Sequence, residues 1–144
     1  MTVDLFNKAE WLHPTEFPSM KGRQVVAIDL ETCDTDLKKM GPGWPRKVGK
    51  VIGIALSSGD FTAYYPIAHD GGGNMDSEVV LKYIKSICED ESIQKVFHNA
   101  QYDIGWLSVL NIEVKGYIHD TMIAAALLNE NRYSFTLNSM VAEY

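Results

Sequence analysis

The sequence predicts an α/β fold in which helices flank a mixed five-stranded sheet. Three segments in the first half are rich in β-branched and aromatic residues, and a tight turn joins two of them, as in antiparallel strands. In the second half, short apolar segments alternate with amphipathic helical patterns, as in β-α-β units. The predicted order is three strands, a helix, a strand, a helix, a strand and two helices.

Composition is typical of one soluble globular domain. The chain has 144 residues, of which 46% are hydrophobic and 22% charged. Its net charge of −6 excludes a nucleic-acid binder held by bulk positive charge, but not a nuclease with clustered carboxylates. Two cysteines without metal or disulfide spacing favour a reducing, cytoplasmic setting. We find no membrane span or signal peptide, and therefore expect no membrane partner.

Residues 1–22 are predicted to form an irregular lead-in, with a short helix near Leu5–Trp11, and residues 23–144 to form the domain. The first strand is predicted at about residues 24–31 and becomes acidic at its end. Asp29 and Glu31 lie on one face of this strand, about 6–7 Å apart, because side chains alternate. Two carboxylates on an apolar strand are costly to bury unless a cation lies between them, which points to a divalent metal.

Residues 33–47 follow as a long connection, predicted to be irregular because of its glycines and prolines. Trp44 lies among basic residues in this loop. One interpretation is a contact with single-stranded nucleic acid, through base stacking and phosphate pairing. The other is a solvated loop whose Trp44 packs against the domain, which the loop taken alone slightly favours. The basic residues are Lys38, Lys39, Arg46 and Lys47.

The remaining elements follow from hydrophobic periodicity and capping residues. They are strands Val48–Ser57 and Phe61–Ile67, a flexible loop at 69–74, helix Asp76–Glu89, strand Gln94–His98, helix Asn99–Leu110, a strand within Asn111–Ile118, helix Thr121–Asn129 capped by Asp120, and a last helix from Thr136 to Tyr144. The buried stripe of the first long helix is predicted at Val79, Val80, Tyr83, Ile84, Ile87 and Cys88.

Asp103 lies on the apolar stripe of its helix, with Trp106, Leu107 and Leu110. Its helix begins just after a strand, at the sheet edge where α/β proteins build their sites. Alone, Asp103 also fits a half-exposed residue that favours the helix dipole. Its position after a strand makes it a candidate partner for Asp29 and Glu31.

Two motifs give a resemblance to a known family. Asp29-Leu30-Glu31, and Asn99 followed four residues later by Asp103, resemble the first two motifs of the DEDD 3′–5′ exonuclease superfamily, which has an RNase H-like (DnaQ-like) fold. Residues 118–122 and 65–69 are similar to segments of the proofreading domains of family A DNA polymerases. The resemblance runs from about residue 23 to 144.

The resemblance implies a two-metal hydrolysis at the 3′ end of single-stranded DNA, with two Mg²⁺ ions that Mn²⁺ replaces. It implies that Asp29 bridges both ions, that Glu31 holds one and orients the attacking water, and that Asp103 holds the other through water. The substrate-binding neighbours that it implies are Leu30, Thr32, Asn99, Tyr102 and Trp106.

The sequence departs from the family pattern at its third motif, Tyr-x-x-x-Asp, which does not occur in residues 121–144. We therefore expect the chain to be the front of a longer protein with a polymerase domain, in a bacterial or phage-infected cell. As given, it is expected to bind one metal weakly, hydrolyse poorly and self-associate through exposed apolar surface, as a homo-oligomer that exchanges the C-terminal helix. The alternatives are a stand-alone exoribonuclease of the RNase D type and a non-catalytic nucleic-acid-binding module.

Overall fold

The computed structural model describes residues 13–142, in which five strands form one mixed sheet in the order β3-β2-β1-β4-β5. β1, β2 and β3 are antiparallel, and β4 and β5 run parallel to β1. The predicted fold class is confirmed. The elements are β1 (Val25–Cys33), α1 (Leu37–Met40), a 3₁₀ turn (Trp44–Arg46), β2 (Lys50–Ser58), β3 (Phe61–Pro66), α2 (Ser77–Cys88), β4 (Gln94–Phe97), α3 (Ala100–Val109), β5 (Ile118–Asp120), α4 (Thr121–Leu128) and α5 (Leu137–Val141).

The two faces of β1 differ in burial, as alternation requires. Val26, Ile28 and Leu30 belong to the core, whereas Asp29 and Glu31 are exposed on the opposite face. The core also contains the side chains Val80, Ile84, Ile87 and Cys88 of α2 and Trp106 and Leu107 of α3. β1 therefore presents both acidic side chains on the face that is open to solvent.

The predicted stripe of α2 is correct except at one position. Asp76 caps the helix by accepting hydrogen bonds from the backbone N–H groups of Glu78 and Val79. Val79 was predicted to be buried, but it is 49% exposed because it lies at the edge of the apolar stripe. Tyr83 is half-buried, and its hydroxyl donates to the Pro18 carbonyl at 2.8 Å.

The prediction that residues 33–47 are irregular was wrong. They contain α1 and the 3₁₀ turn, because Gly41 takes a positive φ of 74° just after α1 and Pro45 lies at the start of the 3₁₀ turn. Trp44 packs against α3, where a Cβ on Gly105 would lie 2.3 Å from the Trp44 ring. The packed interpretation of this tryptophan is therefore confirmed.

Part of the predicted lead-in packs on the domain without forming a helix or strand. Phe17 stacks on Tyr65 with ring centroids 5.4 Å apart, and Met20 is buried in the core. The short helix predicted near Leu5–Trp11 and the C-terminal residue Tyr144 lie outside the described residues. Among the helices of residues 13–142, none is long and apolar enough to cross a membrane.

The last two helices leave much of their apolar surface exposed. The exposed side chains include Ile123, Leu127 and Leu128 of α4 and Leu137 and Val141 of α5. Thr136 caps α5 as predicted, by accepting a hydrogen bond from the Ser139 backbone N–H at 3.4 Å. This surface is an unusually apolar part of the molecule and lies close to the acidic end of β1, because one cleft is lined by both Asp29 and Leu137.

Candidate active site

Asp29 and Glu31 extend from a strand with unusually small cross-strand partners. Asp29 pairs with Ala55, and Glu31 pairs with Gly53, both in β2. Paired residues of antiparallel strands project from the same face. Because Ala55 and Gly53 are small, they leave room for another group beside the two carboxylates.

Asp103 reaches the same region from α3, which follows β4, the parallel neighbour of β1. Its side chain is only 3% exposed, unlike those of Asp29 and Glu31. Burial and the negative charge of Asp29 raise the pKa of Asp103 to about 7, although the Leu30 backbone N–H acts in the opposite direction. Asp103 is therefore a desolvated acid that lies close to a second acid.

Asp29 is perturbed by its neighbours as well. Burial and then the charge of Glu31 raise the pKa of Asp29, while His98 lowers it. Asp29 thus interacts electrostatically with both other carboxylates. A pKa that is raised by burial together with a specific charged neighbour is a frequent sign of a functional site.

The three side chains supply hard oxygen ligands, which suit Mg²⁺ and Mn²⁺. As they are oriented within residues 13–142, no group of three or more His, Cys, Asp or Glu side chains is close enough to hold a metal ion. Asp29 and Glu31 are exposed, however, so their side chains have room to change rotamer. The donor set fits a hard divalent cation, although its ligand shell is not assembled in advance.

The start of α3 is held by Asp120. Its carboxylate accepts from the backbone N–H groups of Asn99 at 3.1 Å and Ala100 at 2.8 Å. It also accepts from Met122 at 2.9 Å and Ile123 at 3.4 Å, which begin α4. The predicted cap of α4 is confirmed, and the same carboxylate also fixes the turn that leads to Asp103.

Asn99 precedes α3 with a left-handed φ of 68°, a conformation that asparagine tolerates better than most residues. Its side chain makes no capping hydrogen bond to the described part of the chain. Asn99 therefore allows the tight turn from β4 into α3, and its side chain is exposed.

A hydrogen-bonded chain joins the end of β1 to α3. The Tyr102 hydroxyl lies 2.8 Å from Thr32 Oγ1 and 3.2 Å from Asp34 Oδ2. Because an ionised carboxylate only accepts, Tyr102 donates to Asp34 and Thr32 donates to Tyr102. The Gly43 backbone N–H also donates to Asp34, at 2.8 Å. Sequence reasoning missed Asp34, since its partners lie in the following connection and in α3, and no motif marks it.

Trp106 lies behind this chain and not at the surface. It is 2% exposed and makes an edge contact with Tyr102, with ring centroids 6.5 Å apart. In this structure Trp106 supports Tyr102 from the core side. Of the predicted substrate neighbours, Thr32, Tyr102 and the Leu30 backbone lie near the acidic residues. Trp106 is buried and contacts Tyr102.

An apolar cleft of about 260 Å³ opens beside Asp29 and runs toward α5. His98 lies in its wall, with Nε2 donating to the Phe135 carbonyl at 2.7 Å and Nδ1 2.9 Å from Thr121 Oγ1. His98 thus holds the segment before α5 next to the end of β4.

The comparisons with known proteins decide the family. Residues 16–144 match the family model of the 3′–5′ exonuclease domain found in family A DNA polymerases. The chain belongs to this exonuclease family. A DNA-directed DNA polymerase of Pseudomonas phage M6 is 34% identical over 142 residues, which cover 94% of this chain and 21% of that polymerase. The exonuclease chain thus spans about a fifth of the length of this curated relative.

Solved structures share the fold of the exonuclease chain. Brucella melitensis NrnC with bound Mg²⁺ has a TM-score of 0.62 at 22% identity, covering 88% of this chain and 56% of NrnC. Escherichia coli RNase D, an exoribonuclease involved in structured RNA processing, has a TM-score of 0.59 at 24% identity, covering 85% of this chain and 28% of RNase D. At these identities the likeness establishes the RNase H-like fold.

Proposed function

We propose that this exonuclease chain removes nucleotides from the 3′ end of single-stranded DNA, as the proofreading part of a family A DNA polymerase. The observation that carries the proposal is Asp103, a buried acid next to Asp29 at the second-motif position of the family. A folded protein gains nothing in stability from such an unpaired acid, whereas a metal-dependent nuclease needs it as a ligand.

The divalent ions of this family, two in the complete site, would generate the attacking hydroxide and stabilise the leaving 3′ oxygen when bound. Among the neighbouring charges, that of Asp29 raises the pKa of Asp103 most, and the charge of Glu31 raises the pKa of both aspartates. This supports Asp29 as the shared ligand. Glu31 would orient the water, and Asp103 would hold the second position. Mg²⁺ is the expected ion, and Mn²⁺ the expected substitute.

The terminal nucleotide would lie along the end of β1. Thr32 donates its hydroxyl proton to Tyr102, so its oxygen is left to accept from a sugar hydroxyl. The backbone at Leu30–Thr32 and the Tyr102 ring form the adjoining surface. Asn99, whose amide is exposed, would bind near the 3′ end.

An exoribonuclease of the RNase D type is the second candidate, because RNase D shares the fold over 85% of this chain. The third candidate, a non-catalytic nucleic-acid-binding module, fits less well. A module without catalysis has no reason to keep Asp103 buried beside Asp29. The family match to polymerase exonuclease domains favours DNA over RNA.

The proposed setting is the cytoplasm of a bacterial or phage-infected cell, with a polymerase domain as the partner in the full-length protein. We also propose that the 144-residue chain self-associates through the exposed apolar side chains of α4 and α5. The proposed domain limits are those of the sequence prediction, residues 23–144, with 1–22 as the lead-in.

The test is the polarity of digestion of single-stranded oligonucleotides labelled at the 3′ or the 5′ end. With Mn²⁺, slow release of the 3′ label as mononucleotide is expected, because this chain offers three of the four carboxylates of the family pattern. Asp29→Ala should abolish it, and Asp60→Ala, at an exposed position, should not. Faster digestion of RNA than of DNA would favour the exoribonuclease of the RNase D type. Release from the 5′ end, or activity that survives Asp29→Ala, would contradict the proposal.

A further inference from the structure

Tyr64 lies on the catalytic face of the sheet, although no motif of the family pattern includes it. In the sheet register it pairs with Ala55 of β2, which in turn pairs with Asp29 of β1. Cross-strand partners project from the same face. Tyr64 is thus the third residue in a row that begins with Asp29.

The phenol of Tyr64 leans along β2 toward Glu31. A Cβ on Gly53 would lie 1.9 Å from the Tyr64 hydroxyl, so the ring end occupies the space above Gly53. Gly53 is the cross-strand partner of Glu31. The glycine therefore makes room for a hydroxyl beside the catalytic glutamate. The pKa of Tyr64 is raised by burial and then by the charge of Glu31, in agreement with this placement.

His69 fixes the position of that hydroxyl, with Nε2 2.5 Å from the Tyr64 oxygen. The loop that carries His69 is itself braced. The His69 backbone N–H donates to Asn74 Oδ1 at 2.7 Å, and the Asn74 amide donates back to the His69 carbonyl at 2.8 Å. The Met75 backbone N–H closes the loop on the Pro66 carbonyl at 2.8 Å. These hydrogen bonds hold the two ends of the glycine-rich loop together.

We infer that Tyr64 is a positioning residue for Glu31, and that Gly53, His69 and Asn74 serve to hold its hydroxyl there. The hydroxyl restricts the rotamers that Glu31 adopts on the open face and favours those in which the carboxylate turns toward Asp29. This inference rests on the proposed function, since it assigns Tyr64 to the same site.

The inference gives a role to His69, which ends the segment of residues 65–69 that the family resemblance includes. Exposed carboxylates such as Glu31 have several rotamers in water. A contact that restricts these rotamers lowers the entropy cost of binding a metal ion. Residues that orient metal ligands typically change metal affinity or activity about 10- to 100-fold when they are mutated.

Tyr64→Phe removes the hydroxyl and keeps the ring, and Gly53→Ala pushes the ring away. Tyr65→Phe is the matched control, because the neighbouring Tyr65 is buried in the core and donates to the Glu16 carbonyl at 3.3 Å. The measurements are Mn²⁺ affinity by electron paramagnetic resonance and, with the 3′-labelled oligonucleotide, the separate values of kcat and KM. Circular dichroism checks that each variant is folded.

Tyr64→Phe and Gly53→Ala are expected to weaken Mn²⁺ binding and lower kcat about 10-fold, with KM unchanged. Tyr65→Phe should leave all three values unchanged. If Glu31→Gln weakens Mn²⁺ binding and Tyr64→Phe does not, the inference is wrong while the proposed function stands. If the unchanged chain binds no Mn²⁺, both are overturned.

Discussion

At the scale of single residues, Asp103 is an unfavourable side chain for the stability of the fold and an informative one about function. It is buried, its pKa is about 7, and its neighbour Asp29 carries the same charge. Removing one partner from a set of like charges relieves repulsion, whereas removing one from an ion pair leaves a charge unmatched. Asp103 therefore lowers the stability of the metal-free fold.

Asp103→Asn is predicted to stabilise the metal-free chain at pH 8, by on the order of 1–2 kcal/mol. The amide oxygen can still accept from the Leu30 backbone N–H, but the buried negative charge is gone. Thermal unfolding in EDTA measures the change, with exposed Asp60→Asn as the control. Mg²⁺ should stabilise the unchanged chain and not the variant. A lower Tm for Asp103→Asn would argue against a destabilising carboxylate.

The sequence predicts some of these residues and not others, for physical reasons. Asp29 and Glu31 are visible because the two-residue period of a strand places them together. Asp103 alone fits either a half-exposed helix residue or a site residue, and the position of its helix after a strand favours the site. Asp34 and Tyr64 could not be found, because their partners lie in separate loops and strands whose register the sequence does not show.

At the scale of secondary structure, Asp120 connects two helices. Its carboxylate accepts from four backbone N–H groups, two at the start of α3 and two at the start of α4. Asp103 lies one turn into α3, so the position of this acid depends on a residue 17 positions further along the chain. The sequence predicts only the local cap of α4, since the contacts with α3 need the pairing of β4 with β5.

Asp120→Ala is predicted to destabilise the fold by about 2–3 kcal/mol at pH 7, because four N–H groups lose their acceptor. Asp76→Ala is the matched comparison and should cost about 1 kcal/mol, since Asp76 caps one helix only. Urea unfolding of both variants measures the difference. Equal losses would mean that the bonds from Asp120 to α3 contribute nothing.

The stabilisation that the Asp120 carboxylate provides is lost at low pH. Burial alone would raise the pKa of Asp120, but the backbone N–H groups lower it below the model-peptide value of 3.8. A lowered folded pKa means that the stabilisation is present above about pH 4 and is lost as the pH falls through the folded pKa. The stability gap between the unchanged chain and Asp120→Ala should therefore shrink as the pH falls below about 4.

The order and type of the elements were predictable from sequence, and the connection at residues 33–47 was not. Prolines and glycines were taken to exclude helix there, but Gly41 ends α1 and Pro45 begins a 3₁₀ turn. Both residues therefore serve as helix boundaries. Trp44 holds this connection on Gly105 of α3, a contact that depends on the tertiary fold.

At the scale of the whole molecule, the sheet has one well-packed face and a more open face that carries the acids. The apolar cleft beside Asp29 continues into a second cleft of about 430 Å³ between α4 and α5, since Thr121 and Leu137 line both. Exposed apolar surface of this kind associates in water. In the proposed self-association, the contact surface would therefore adjoin the acidic site.

Leu127→Glu combined with Leu128→Glu is predicted to suppress concentration-dependent association. These side chains are 84% and 75% exposed, so the change should leave the fold intact. Sedimentation velocity over a range of concentrations measures it, and Val79→Glu on α2 is the control. A monomeric unchanged chain at high concentration would show that this surface does not self-associate.

The central claim is that Asp29, Glu31 and Asp103 together hold the divalent ion of a 3′–5′ exonuclease. The most direct measurement is an anomalous difference map from crystals of the chain grown with Mn²⁺. We expect a peak at the end of β1, with oxygens of Asp29 and at least one other of these carboxylates about 2.1 Å away. A map with no peak at this position, or with a peak that persists in Asp29→Ala crystals, would contradict it.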